Sequence, residues 1–249
     1  EQRRIVDLIA SVDSYIDALR VHADAARTAR TSLLHELLNA GGDNWEKTTI
    51  GAVTESRLGK MLSKAAKSGE SREFPYLRNA DVQWGEIRLS DLNTMEFSVA
   101  EQAKFRLRAG DVLVCEGGEI GRAAVVEHDL TGIFFQKALH RVRCGPGLDP
   151  TFFFYFLSYA AQSGGFRHFV TALTIQHLTG EKFRLVPIHL PPLAAQRNIT
   201  ELLGSLDDTI SVIDVAVDRA THLRTALLSD LLSGEHEIPE SYDSPLEAS

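Results

Sequence analysis

Planar hydrogen-bonding side chains recur at turns in the middle of this 249-residue chain. Arg78-Asn79 and Gln83-Trp84 flank one turn, and Gln136-Lys137 follow an apolar run. Thr174-Ile175-Gln176-His177 fall in a polar loop before Leu178-Thr179. Guanidinium forks and carboxamides on exposed turns have the donor and acceptor geometry that base edges require, Arg toward guanine and Asn or Gln toward adenine. Glu119 and Arg122, beside Gly117-Gly118-Glu119-Ile120-Gly121, are secondary candidates. Arg57, Lys60, Lys64, Lys67 and Arg72 place five cations among small polar residues, a pattern suited to phosphate oxygens. A plainer reading stands beside each: Trp84 in the core, polar groups capping turns, and 57–72 a solvated loop.

Other chemistries find less support. The glycine run lacks the lysine of G-x-x-x-x-G-K-[ST], and G-x-G-x-x-G is absent, so no nucleotide cofactor is expected. His140, His168 and His189 have no Cys or carboxylate at metal-ligand spacing and read as structural or surface residues. Cys115 and Cys144 make neither a disulfide framework nor a zinc site, which favours a reducing cytoplasm. No apolar run approaches the ~18 residues of a membrane span.

The elements that must hold these turns lie in residues 43–190. Strand-like runs occur at 76–78, 81–85, 111–115, 123–126 and 139–143, separated by turn residues. A helix is predicted over 150–161 and a strand over 182–190. Gly117, Gly118 and Gly121 predict a hairpin or a close backbone approach. The fold class that follows is α+β: a mixed α/β domain flanked by two long coiled-coil helices.

Those helices come from an internal repeat. Residues 1–40 align without a gap to 195–234, with sixteen identities that include Gln2/Gln196, Arg3/Arg197, Ile5/Ile199, Asp13/Asp207 and Arg30/Arg224. Apolar residues recur every three or four positions in both copies, from Ile5 to Leu37 and from Ile199 to Leu231. Glycines follow each copy. Forty residues make a rod of about 60 Å, and one apolar stripe on so long a rod needs a partner helix. The organisation is therefore helix (1–42), central domain (43–190), helix (191–235) and an acidic tail (236–249).

The net charge of −8 at first disfavours a nucleic-acid partner. It is unevenly spread. Residues 43–190 carry eighteen basic and seventeen acidic side chains, whereas 191–249 carry three and eleven. The central domain is close to neutral, so whole-chain charge says little about what it touches.

Pro191-Pro192-Leu193-Ala194-Ala195-Gln196-Arg197, the helix after it and its Leu-Leu-Ser-Gly ending resemble the conserved region of type I restriction–modification specificity subunits. Phe105-Arg106-Leu107-Arg108-Ala109-Gly110-Asp111-Val112-Leu113-Val114, Gly121-Arg122 and Leu178-Thr179 are similar to their target-recognition domains. The resemblance covers nearly the whole chain. It implies a non-catalytic, sequence-specific DNA-binding subunit in a complex with methyltransferase subunits and an ATP-dependent nuclease subunit. In keeping with that, there is no Asn-Pro-Pro-Tyr motif and no nuclease-like carboxylate cluster. The arrangement is similar to the second half of such a subunit or to a half-sized one. The long helices are expected to pair antiparallel, either between two chains as a homodimer or within one longer chain, spacing two half-sites by roughly two turns at ~34 Å each. Two alternatives remain: the recognition module of a fused restriction–methyltransferase enzyme, and a coiled-coil protein-binding factor.

Overall fold

A computed structural model describes residues 2–62, 71–169, 178–234 and 237–239. It comprises two compact units, one from the described residues of Glu1–Leu33 and Leu202–Ser249, the other Leu34–Glu201. In chain order the elements are α1 (Gln2–Asn39), β1 (Glu46–Thr49), α2 (Ile50–Val53), β2 (Thr54–Leu58) and β3 (Ser71–Leu77). There follow β4 (Val82–Gln83), β5 (Glu86–Ile87), β6 (Asn93–Ser98), α3 (Val99–Lys104), β7 (Asp111–Cys115) and β8 (Ala123–Val125). The remainder are β9 (Phe134–Phe135), β10 (Leu139–Cys144), α4 (Pro150–Gln162), α5 (Gly180–Leu185), β11 (Pro187–Leu190) and α6 (Leu193–Ser233).

The first unit is a pair of antiparallel helices. Ile9, Ile16 and Ala23 are buried at seven-residue spacing, and their repeat counterparts Leu203, Ile210 and Val217 occupy the same line on α6. Arg30 bonds Asp207, with Nε to Oδ1 at 2.5 Å, and Arg224 bonds Asp13. These are the same two residues of the repeat, each copy supplying the cation to the other's carboxylate. The pairing is thus two-fold symmetric in sequence and is made within one chain. Arg224 holds the Asp13 carboxyl below its ordinary value.

The second unit is built on a four-stranded antiparallel sheet in the order β2-β10-β7-β8 and a three-stranded sheet in the order β6-β3-β9. Strands β7 and β10 are central, and the β7 run Val112–Cys115 is fully buried, as a strand covered on both faces must be. Leu77, Phe97, Phe105, Leu107, Leu113, Phe135 and Leu139 fill one core cluster. α4 packs against the sheet strands with a run of buried aromatics, Phe152 to Phe156, and Phe183 of α5 meets Phe153. Asp149 caps α4 by accepting from the N–H groups of Thr151 and Phe152, followed by Pro150 at the first helical position.

One expectation is corrected. The predicted strand over 182–190 begins only at Pro187, because Thr179 opens the short helix α5 and buries Phe183 beneath it. The remaining strand, β11, pairs antiparallel with β1 from Glu46↔Leu190 to Thr49↔Pro187. The chain therefore enters and leaves this domain on adjacent strands. Gln196 then fastens the start of α6. It is fully buried; its Nε2 donates to the carbonyls of Gly147 and Pro191, and its Oε1 accepts from Asp149 N. Its counterpart Gln2 is exposed.

Candidate functional site

Three of the turns singled out by their residue types, 78–84, 117–122 and 136–137, meet at one end of the four-stranded sheet. Asn79 Nδ2 donates to Gly117 O at 3.0 Å, and Arg122 Nη2 donates to Asn79 O at 2.8 Å. Trp84 Nε1 donates to Glu119 at 2.5 Å, and Gly85 N to Ala123 O at 3.0 Å. Those bonds join the 78–84 turn to the β7–β8 hairpin. The hairpin is joined in turn to the segment before β10, Glu116 N donating to Ala138 O at 2.9 Å. Lys137 N donates to Lys60 O at 2.7 Å, and Leu178 N to Glu116 O at 2.8 Å. Five segments distant in sequence therefore share one rim.

Close approach at this rim requires glycine twice. A Cβ on Gly59 would sit 2.2 Å from the Gln136 carbonyl oxygen, so β2 could not run past the 136–138 segment with any other residue. Gly121 combines φ +79° with a Phe166 ring 2.3 Å from where its Cβ would be.

Among the described residues, most of the predicted side chains serve as struts here. Arg78 forms a two-pronged pair with Asp81, at 2.9 and 2.7 Å. Burial pushes the Asp81 carboxyl up, but its bonds from Arg78 prevail and leave it below the ordinary carboxylate value. Lys60 is nearly buried, pairing with Glu101 at 2.7 Å above the Phe97 ring, so its ammonium is internally satisfied. Arg122 is 14% exposed and also faces Glu119 at 3.7 Å. Trp84 is half-buried, edge-on to Phe154. Gln83 Nε2 turns back to Ala80 O at 2.8 Å.

By contrast Gln136 and Lys137 hold no side-chain hydrogen bond or ion pair among the described residues, and Lys137 is exposed. Lys64, Thr174, Gln176 and His177 lie outside the described residues, as does Lys67. Of the wider basic stretch, Arg57 is in β2 and Arg72 in β3.

Several residues of consequence were not visible as site residues in the sequence. His140, buried beneath this rim, stacks on Phe183 at 6.0 Å. Burial drives its imidazole below the ordinary value, opposed by the Glu116 charge and a bond with the Leu178 backbone. Gln196 and the arginines of β10 likewise read only as helix and strand positions. Burial pushes the Cys144 thiol up to about 12 and raises that of Cys115 as well, so neither is a poised nucleophile. Among the described residues no group of three or more His, Cys, Asp or Glu could hold a metal ion, and no helix is long and apolar enough to cross a membrane.

Comparison with known proteins gives a consistent family. The family model for the type I restriction modification DNA specificity domain matches residues 42–214. The MjaX type I restriction enzyme specificity subunit of Methanocaldococcus jannaschii is 23% identical over 229 residues, covering 81% of this chain and 54% of that protein. The crystal structure of the HsdS subunit from Thermoanaerobacter tengcongensis has the same fold, with a TM-score of 0.61 at 19% identity over 92% of this chain and 57% of that one. The type I S subunit from M. genitalium superimposes with a TM-score of 0.56 at 15% identity, over 91% of this chain and 59% of that one. The chain thus spans a little over half the length of these relatives. With a family model matching residues 42–214, most of its length, this chain belongs to the type I restriction modification DNA specificity domain family.

Proposed function

We propose that this chain chooses the DNA sequence on which a type I restriction–modification complex acts, and does no chemistry itself. The supporting observation is the rim at one end of the sheet, where the turns 78–84, 116–122 and 136–138 are cross-linked by backbone and side-chain hydrogen bonds. A pre-organised set of turns can present amide and ammonium groups to a groove with little ordering cost on binding. Lys137 and Gln136 are its available side chains, and Arg78, Asn79, Gln83, Trp84 and Arg122 hold their neighbours in place. Methyl transfer and ATP-driven cleavage come from partner subunits, in the cytoplasm where the host DNA lies.

The helix pair acts as the spacer of such an assembly. Because the two repeat copies already pair within one chain, a homodimer would use their exposed apolar residues, among them Val6, Val212 and Leu223, rather than the ion-paired seam. The test of the main reading is methylome sequencing of a host that expresses the chain with its modification subunits. A defined methylated motif that disappears when the chain is deleted is the expected result; an unchanged methylome overturns it.

A further inference from the structure

Strand alternation puts His140 on one face of β10 and Arg141 and Arg143 on the other. In the antiparallel register Arg141 stands opposite Arg57 of β2, and Arg143 opposite Glu55. Two like charges facing each other across a strand pair repel, and their counter-charge here is thin. A single Glu55 oxygen lies 3.8 Å from Arg57 Nη2 and 3.8 Å from Arg141 Nη2, too far to accept a hydrogen bond from either. Asp111 is engaged by Arg143 at 2.7 Å. Arg141 Nη1 is held by the carbonyls of Lys104 and Arg106. The Nε–H groups of both Arg57 and Arg141 are buried without a partner among the described residues. Burial, then the charges of Arg143 and Arg57, push the Arg141 guanidinium below its ordinary value, against the pull of Asp111 and Glu55.

Arg57, Arg141 and Arg143 thus outnumber Glu55 and Asp111, leaving one positive charge in excess. The access is graded: the Arg57 side chain is 39% exposed and that of Arg141 only 3%. We propose that Arg57, backed by Arg141, forms a phosphate-group subsite on the β2–β10 face, occupied by a backbone phosphate of bound duplex. A phosphodiester carries one negative charge and acceptor oxygens, which matches both the excess charge and the fork geometry of a guanidinium. Placement favours the duplex as the source. Arg57 precedes Lys60 by three residues, about 10 Å along the strand, and Lys60 is at the rim of turns. A duplex lying across that rim would pass the subsite within one turn of ~34 Å. This deepens the DNA reading above and rests on it. A phosphate contact here would fix position and register without choosing bases.

The experiment measures duplex binding by the chain assembled with its modification subunits, by fluorescence anisotropy from 50 to 200 mM salt. Arg57→Gln should make the slope of log affinity against log salt shallower by ~0.9, the value for one phosphate contact, while methylation keeps its sequence motif. Glu55→Gln, which removes the competing carboxylate, should tighten binding at every salt concentration. Should Arg57→Gln fail to fold, the sign of the Glu55→Gln effect carries the test. A second arm replaces chloride by inorganic phosphate at fixed ionic strength and follows the melting temperature. Phosphate stabilisation that depends on Arg57, with unchanged duplex slopes, would assign the subsite to free phosphate and overturn the duplex contact. No change in either arm overturns the subsite altogether. A wild-type assembly that binds no duplex refutes the DNA reading, whereas Arg57-dependent phosphate stabilisation would still report the subsite.

Discussion

Asn79 and Lys137 illustrate two ways in which a polar residue can matter at one rim. Asn79 bonds Gly117 through its amide and receives Arg122 on its carbonyl, so it ties one turn to the next hairpin. Asn79→Ala should cost about 1–2 kcal/mol of stability, because a part-buried acceptor loses its donor, and should also blur the methylated motif. Urea unfolding and methylome sequencing would read the two effects. Lys137 carries no such duty. Lys137→Ala should change stability by no more than ~0.5 kcal/mol yet lower the salt dependence of duplex binding by ~0.9. Equal DNA binding by that variant and the wild type would mean that the rim faces away from DNA. Gln176→Ala belongs to the same test, with a loss of base discrimination of ~1–3 kcal/mol if the carboxamide reads a base.

Where elements join, two buried polar side chains carry the load. Gln196 satisfies Asp149 N while Asp149 caps α4, so the first turn of α6 and the start of α4 share one hydrogen-bond network. Gln196→Ala would strand a buried N–H and two carbonyls and should cost roughly 1–3 kcal/mol; Gln2→Ala, at the exposed repeat counterpart, should cost next to nothing. Thermal unfolding of the two variants distinguishes a docking residue from a helix-propensity effect common to both copies. His140 adds a pH dependence. Its folded value lies below the unfolded one near ~6.5, so the unfolded chain binds the proton more readily and stability falls as pH drops through that value. Glu116 and Arg184 face the imidazole and act in opposite senses, Glu116 favouring the proton and Arg184 opposing it. His140→Gln should flatten the stability profile between about pH 7 and 5, measured by urea titration at each pH. An identical profile in the variant would assign the dependence to other groups.

For the molecule as a whole, the proposed role of choosing the DNA sequence predicts that the purified chain transfers no methyl group, cuts no DNA and hydrolyses no ATP. Turnover by the pure chain, free of partner subunits, would contradict this. The two-fold ion pairs of the helices make a second prediction. Ile16 is buried in the seam, so Ile16→Ala should lower stability by about 2–4 kcal/mol. Arg30→Ala, at a partly exposed pair, should cost no more than ~1 kcal/mol. Packing holds the helices together, and the ion pairs fix their register.

The repeat and its heptad line were legible in the sequence because a helix displays its burial pattern locally: Ile9, Ile16 and Ala23 announce a seam wherever the partner lies. So were β7, β10 and α4, whose apolar runs and caps are contiguous in the chain. The strand expected from Lys182 starts only at Pro187 because Phe183 is buried from a short helix, and one apolar residue between charges does not reveal its period. Turn residues such as Asn79, Trp84 and Arg122 could be picked out by type, but whether each faces a ligand or a neighbouring turn depends on contacts 35 to 43 residues away. The same holds for Arg57 and Arg141, which look like ordinary alternating strand residues until the β2–β10 register sets them opposite each other. Local periodicity is written along the chain, whereas the pairing of polar atoms across distant segments exists only once the sheet has closed.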